Sequence, residues 1–232
     1  MYLNSEENAN FKGTGELNAD GLTLDAFCEA YDPKKYDNPC NTVDNLIFSY
    51  AEDNGRKKIT KVLLIKRKNH PSIGWWALPG GFVDFREDID VAAARELQEE
   101  TGIEGLELEQ LKTYGDPKRD PRTRIITTAF VALVPEGAVK EEAGDDAKDA
   151  GWFSISTDSL GNFEENGRHF EDIVLTLTND EKGVTTSKIR VSYRTGAVLK
   201  DERYEVLETK GLAADHPAVV LEGYRYVKAL MD

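Results

Sequence analysis

The sequence predicts an α/β fold: a mixed sheet sandwiched between helices, extended at its C-terminal end by a β-hairpin and a helix. Three stretches carry that reading. KVLLIKR at 61–67 is a strand whose unbroken apolar centre suits burial on both faces. RIITTAFVALV at 124–134 is a second strand. Between them, residues 88–103 carry both end signals of a helix. Asp88 is an N-cap, since its carboxylate can accept from the free N–H groups of the first turn. Gly102 can take the left-handed conformation that ends a helix, and Ile103 can pack back behind it.

The remaining elements follow in order. Residues 1 to about 20 are polar and read as a loose arm. Thr23 caps a short helix at 24–30, expected to pack Leu24, Phe27 and Cys28 on the core, and Pro33 ends it. Residues 31–39 connect to a strand at 45–50, and Asp53-Asn54-Gly55 marks a turn. A loop at 69–74 leads to a short strand at 75–78, then to the turn Pro79-Gly80-Gly81. Strands are expected at 106–114 and 150–155, with an acidic surface loop at 136–148 between the 124–134 strand and the last of these.

Past residue 160, alternation at 172–178 and 187–194 predicts a hairpin, and 204–208 a further strand. Asp215 caps a last helix, with Pro217 in its first turn and Val219, Val220, Tyr224, Val227, Leu230 and Met231 as its apolar face. The expected organisation is an arm and short helix at 1–39, a core at 40–160, and the hairpin and terminal helix at 161–232. This tail either packs on the core or serves as a lid or homodimer contact, the latter through the 173–194 hairpin; periodicity does not separate these readings.

Composition narrows the function. A net charge of −14 argues against a nucleic-acid partner bound through a broad basic surface. No apolar run approaches 18 residues, so no membrane span is expected. The first residues lack the basic and apolar regions of a signal peptide. Cys28 and Cys40, with no histidine pattern near them, suit reduced thiols in a cytoplasmic protein.

The chemistry concentrates on the 89–100 helix. On a helical wheel Ile89, Ala93, Ala94 and Leu97 share one side, and Glu96, Glu99 and Glu100 border it. Glu96 reaches Glu99 and Glu100 at i+3 and i+4, so the carboxylates are neighbours. Each such like-charge pair costs about 4 kcal/mol at an effective dielectric of about 20 and ~4 Å separation. A solvated acidic face gives the same composition; a bound divalent cation gives it a purpose, and oxygen donors select Mg²⁺ or Mn²⁺. Arg95 stands four residues before Glu99 and eight after Glu87, so it can orient a carboxylate.

The spacing settles the choice. Gly81, Glu87, Arg95, Glu96, Leu97, Glu99, Glu100, Gly102 and Ile103 fill every fixed position of G-x5-E-x7-R-E-U-x-E-E-x-G-U, with U aliphatic. The chain thus resembles the Nudix hydrolases, and the expected fold is the Nudix α/β/α sandwich. Outside this box, YDPKKY at 31–36, LLIKR at 63–67, WALPGGFV at 76–83, YGDPKRDPRTR at 114–124 and LAADH at 212–216 resemble the ADP-ribose pyrophosphatase branch.

That resemblance implies a Mg²⁺-dependent (or Mn²⁺-dependent) hydrolase of a nucleoside diphosphate derivative, with ADP-ribose giving AMP and ribose 5-phosphate. Other dinucleotide, nucleotide-sugar or oxidised-nucleotide substrates are alternatives within the class. A non-catalytic ligand sensor or transcriptional regulator is an alternative outside it. The implied metal donors are Glu96, Glu99, Glu100 and the Gly80 carbonyl. Glu96 or a neighbouring carboxylate serves as base, and Arg95 and Glu87 orient the ligands. Arg67, Arg122 and Arg124 are candidates for phosphate or ribose, by their bidentate geometry. Trp75, Trp76 and Tyr114 are candidates for stacking on a base. A further glutamate that the family places in a downstream loop has only Glu141, Glu142, Asp145 and Asp146 as candidates.

Overall fold

Alternation along two central strands sorts the core into two layers. The computed structural model describes residues 14–141, 147–196 and 201–231. β1 (Cys40–Asp53) and β2 (Arg56–Arg67) pair antiparallel, with Phe48 opposite Val62. Leu46, Phe48, Val62 and Leu64 face one side of the sheet and Ile47 and Leu63 the other, and all are buried. The apolar centre of β2 is therefore covered on both faces, as its sequence predicts.

Each layer has its helix. On the Ile47–Leu63 side lies α2 (Ile89–Thr101), which contributes Leu97. On the other side lies α3 (His216–Met231), which contributes Val219, Val220, Leu221 and Val227. The sheet between them is mixed. Its order is β10-β9-β8-β7-β2-β1-β6-β5, where β5 is Glu109–Tyr114, β6 Ile125–Pro135, β7 Ala147–Glu165, β8 Arg168–Asn179, β9 Gly183–Tyr193 and β10 Arg203–Lys210. β1 and β6 run parallel. Two short strands, β3 (Trp76–Ala77) and β4 (Gly80–Phe82), pair with the end of β2 and the start of β1. This is the expected sandwich, and no helix among the described residues is long and apolar enough to cross a membrane.

The tail differs from its expected form. β7 does not stop near residue 155 but continues to Glu165, through the expected boundary at 160–161. Asn166 and Gly167, both at positive φ, make the tight turn into β8. The hairpin is thus longer than 172–194 and extends the central sheet edgewise through β7. Its inner face (Ile173, Leu175, Leu177, Ile189 and Val191) is buried in the layer that α3 covers. Residues 156–165 (STDSLGNFEE) show no alternation because pairing with β8, not burial, holds them extended.

Smaller corrections have local causes. Leu230, expected on the apolar face of α3, is exposed in the last turn. Ala94 is exposed and Ala92 buried instead, so the inner face of α2 is rotated slightly from the wheel. The Asp215 side chain binds Arg119 rather than capping α3. β5 begins at Glu109, while Leu106 and Leu108 precede it as packing residues.

Of the described residues, 14–38 form a separate unit. Its helix α1 (Leu24–Ala30) is capped by Thr23, whose hydroxyl accepts from the Ala26 N–H. No residue of α1 is buried, contrary to the expected packing of Leu24, Phe27 and Cys28; Phe27 instead meets Tyr31 of the same segment. Cys28 and Cys40 are both free thiols.

Candidate active site

β1 and β2 separate at one end of the sheet, and β3, β4 and the turn between them fill part of the gap. A cleft of about 450 Å³ opens there. Its walls come from the start of β1, the end of β2, the 78–82 turn, α2, residues 119–125 and the entry to α3.

α2 is built as its sequence requires. The Asp88 carboxylate accepts from the Asp90 N–H, and Gly102, at φ 70°, ends the helix with its N–H on the Gln98 carbonyl. Arg95 is the hub of the site. Its Nε and one terminal nitrogen bind the two oxygens of Glu87, each at 2.8 Å. The other terminal nitrogen donates to Glu96 at 2.8 Å and to Glu99 at 3.0 Å, and the Phe82 carbonyl takes a further bond at 3.0 Å. Five bonds use all five donors of the guanidinium, an arrangement lysine cannot reproduce. They tie the loop before α2, the helix and the end of β4 into one piece. Glu87 is correspondingly held down to about 2, first by Arg95 and then by the Asp84 N–H.

Glu96 lies against the Gly81 backbone. A β-carbon at Gly81 would stand 2.5 Å from the Glu96 carboxyl carbon, so glycine leaves the seat this side chain occupies. Burial pushes the Glu96 carboxyl up, against the pull of Arg95. Glu100 is buried deeper. It accepts from the Gly80 N–H at 2.7 Å, yet burial, reinforced by the charge on Glu96, pushes it up to about 8.

Arginines line the same cleft. Arg67 donates through Nε to the Pro71 carbonyl at 2.6 Å. Its guanidinium is lowered first by burial and next by the nearby Arg122, so two cations stand close together in the cleft. Arg122 is held by Asp120 in a bidentate pair and lies over the Phe82 ring, 5.3 Å from its centroid.

Of the residues expected from the sequence, Gly80, Arg67, Arg95, Glu96, Glu100 and Arg122 line this cleft. Glu87 and Glu99 do not line it, but connect to it through Arg95. Arg124 is exposed beside Gly115, outside the lining. The three candidate stacking rings are elsewhere. Trp76 packs on Phe153 in the core, Tyr114 donates to Glu222 of α3, and Trp75 is exposed outside the cleft. Phe82 is the ring that lines it. Glu141 is half-buried away from the cleft, and Glu142, Asp145 and Asp146 fall outside the described residues.

Asp44, Arg119, Asp215 and His216 also line the cleft and were not singled out by spacing. Asp44 carried a signal, an acid between Val43 and the polar-to-apolar run Asn45–Phe48 of β1. The LAADH segment contained Asp215 and His216 without marking their targets.

The donor set suits a hard divalent cation. Glu96 and Glu100 present oxygen only, from one face of α2, and repel each other. Among the described residues no three acidic, His or Cys side chains already converge on one point, and Arg95 lies between Glu96 and Glu99. In donor type and charge these residues fit such an ion.

Comparison with known proteins agrees with this geometry. The NUDIX domain model matches residues 46–171, over half of the chain. The chain is 42% identical over 128 residues to the ADP-ribose pyrophosphatase of Methanocaldococcus jannaschii, covering 54% of this chain and 69% of that protein. It is 42% identical over 119 residues to the ADPR responsive transcriptional repressor NtrR of Acinetobacter baylyi, covering 50% of this chain but only 46% of the repressor. In structure it resembles a MutT/nudix family protein from Enterococcus faecalis, with a TM-score of 0.63 at 28% identity over 99% of this chain and 76% of the other. That likeness runs on past the family match, into the β8–β10 meander and α3. From its box, its sandwich and these relatives, the chain belongs to the Nudix family.

Proposed function

We propose that the protein is a Mg²⁺-dependent pyrophosphohydrolase that converts ADP-ribose to AMP and ribose 5-phosphate. The observation that carries this reading is that one cleft gathers both signs of charge. The carboxylates of Glu96, tied to Arg95, and Glu100 line it, and so do the two neighbouring guanidiniums Arg67 and Arg122. A diphosphate needs both, since its own charge wants arginine and its hydrolysis develops further charge. A bound Mg²⁺ or Mn²⁺ would act as Lewis acid on the phosphoryl oxygens, with Glu96, Glu99, Glu100 and the Gly80 carbonyl as its donors.

The chain's own residues do the rest. Arg67 and Arg122 hold the diphosphate by guanidinium–phosphate bonds. Water attacks one phosphorus, the bond to the bridging oxygen breaks, and the water proton passes to the Glu96 carboxylate. Burial raises the basicity of Glu96, which favours that role. Arg95, anchored on Glu87, fixes the Glu96 carboxylate through the single oxygen it binds.

Gly81→Ala tests the seat of Glu96. The added methyl displaces the carboxylate but leaves α2 intact, so turnover should fall roughly 10–100-fold while the fold persists. A variant as fast as the wild type would show that the seat is dispensable. The substrate assignment is tested with a panel of ADP-ribose, dinucleotides, nucleotide sugars and oxidised nucleotides, with products read by chromatography. ADP-ribose should give the highest kcat/KM, and a higher value for another member would reassign the substrate within the class.

The repressor relative favours a second reading, a ligand sensor that binds without turnover. Against it, the box is complete, and the described residues after β7 form three strands and one helix of the same sheet and core.

A further inference from the structure

One charged side chain in the cleft has no task in that mechanism, although it is buried more deeply than either phosphate-facing arginine. The Arg119 side chain is 7% exposed. It donates to both oxygens of Asp215, at 2.9 and 3.1 Å, and lies 3.6 Å from Asp44. Asp44 is fixed in turn by the Thr127 hydroxyl at 2.7 Å, with His216 Nε2 3.8 Å away; His216 Nδ1 accepts from the Leu78 N–H at 2.9 Å. Arg119 is thus clamped between β1 and the entry to α3.

Arg119 itself belongs to the segment linking β5 to β6. The next residue, Asp120, grips Arg122 through both side-chain oxygens and also accepts from the Arg122 N–H. Arg122 is thereby set over Phe82 at the mouth of the cleft. Two bidentate pairs, joined through the Arg119–Asp120 peptide bond, thus link the entry to α3 with Arg122. A buried ion pair such as Arg119–Asp215 contributes little net stability, because desolvation offsets the attraction; what it supplies is geometry.

We propose that Arg119 is a positioning residue for substrate affinity: clamped by Asp215 and Asp44, it fixes the 115–124 segment so that Arg122 meets the diphosphate. The inference rests on the hydrolase reading above. Lysine at 119 keeps the charge near Asp44 but cannot make the bidentate pair with Asp215.

The test is a double-mutant cycle on the panel member the wild type turns over fastest. Arg119→Lys should raise KM about tenfold with kcat within about twofold, as loss of uniform binding predicts. In an Arg122→Lys background the same change should raise KM by no more than about twofold, because the two residues act as one unit. Asp215→Asn, which weakens the clamp from the other side, should repeat this pattern and serves if Arg119→Lys does not fold. Additive KM effects, an unchanged KM in both variants, or a fall in kcat at constant KM would overturn the inference while leaving the hydrolase reading intact. A wild type that turns over no panel member would remove that reading, and this inference with it.

Discussion

Glu96→Gln is expected to lower turnover of ADP-ribose by roughly 10²–10⁴-fold, the range for losing a positioned base. The fold should survive. The amide oxygen can still accept from Arg95, which keeps its bonds to Glu87, Glu99 and the Phe82 carbonyl. Removing a half-buried charge whose carboxyl is already pushed up by desolvation does not destabilise the helix. The melting temperature should therefore stay within about 2 °C, a shift of under 1 kcal/mol for a chain of this size. Thermal melts and initial rates on the same preparation check both halves. Wild-type rates in a folded variant would place the base elsewhere.

The second large effect concerns Glu100 and pH. Burial raises its carboxyl to about 8 in the metal-free protein, against an ordinary value of 4.5. The folded chain therefore keeps a proton that the unfolded chain releases between these values. This group's contribution to stability is full below about 4.5 and is lost as pH rises through 8, at up to ~1.4 kcal/mol per pH unit. Glu100→Gln has no such proton to lose, and its amide oxygen can still accept from the Gly80 N–H. Metal-free Glu100→Gln should accordingly gain on the wild type from pH 5 to pH 8.5, by roughly 8–15 °C in melting temperature. Parallel melting curves across that range would show that Glu100 titrates normally.

Added divalent cation should reverse the order. It requires ionised Glu100, so binding to the wild type releases a proton and tightens as pH rises toward 8. Metal removal should then destabilise the wild type more at pH 8 than at pH 6, and Glu100→Gln much less at either.

The box was legible because its parts are local. Helix periodicity places Glu96, Glu99 and Glu100 together, Asp88 and Gly102 mark the ends, and the eight-residue gap brings Glu87 back to Arg95. The apolar centre of β2 is equally local, as four adjacent aliphatic residues admit few other fates.

What sequence could not give is whatever depends on which distant segments meet. Arg122 and Arg124 lie two residues apart with identical chemistry, yet Asp120 and Phe82 draw one into the cleft and the other stays outside. Trp76 looked like a stacking platform until Phe153 claimed it for the core. Asp44, Arg119, Asp215 and His216 come from β1, the link before β6 and the entry to α3, segments separated by up to 172 residues (216 minus 44). The extension of β7 past residue 155 depended on a partner strand whose side chains, not its own, carry the alternation.

One measurement bears most directly on the central claim: AMP and ribose 5-phosphate quantified after the purified protein meets ADP-ribose and Mg²⁺, with Glu96→Gln run in parallel. The account predicts equimolar products from the wild type, none when the metal is chelated, and at most a hundredth of the rate from the variant. Tight binding of ADP-ribose with no products from the wild type would contradict it and make this cleft a sensor's pocket.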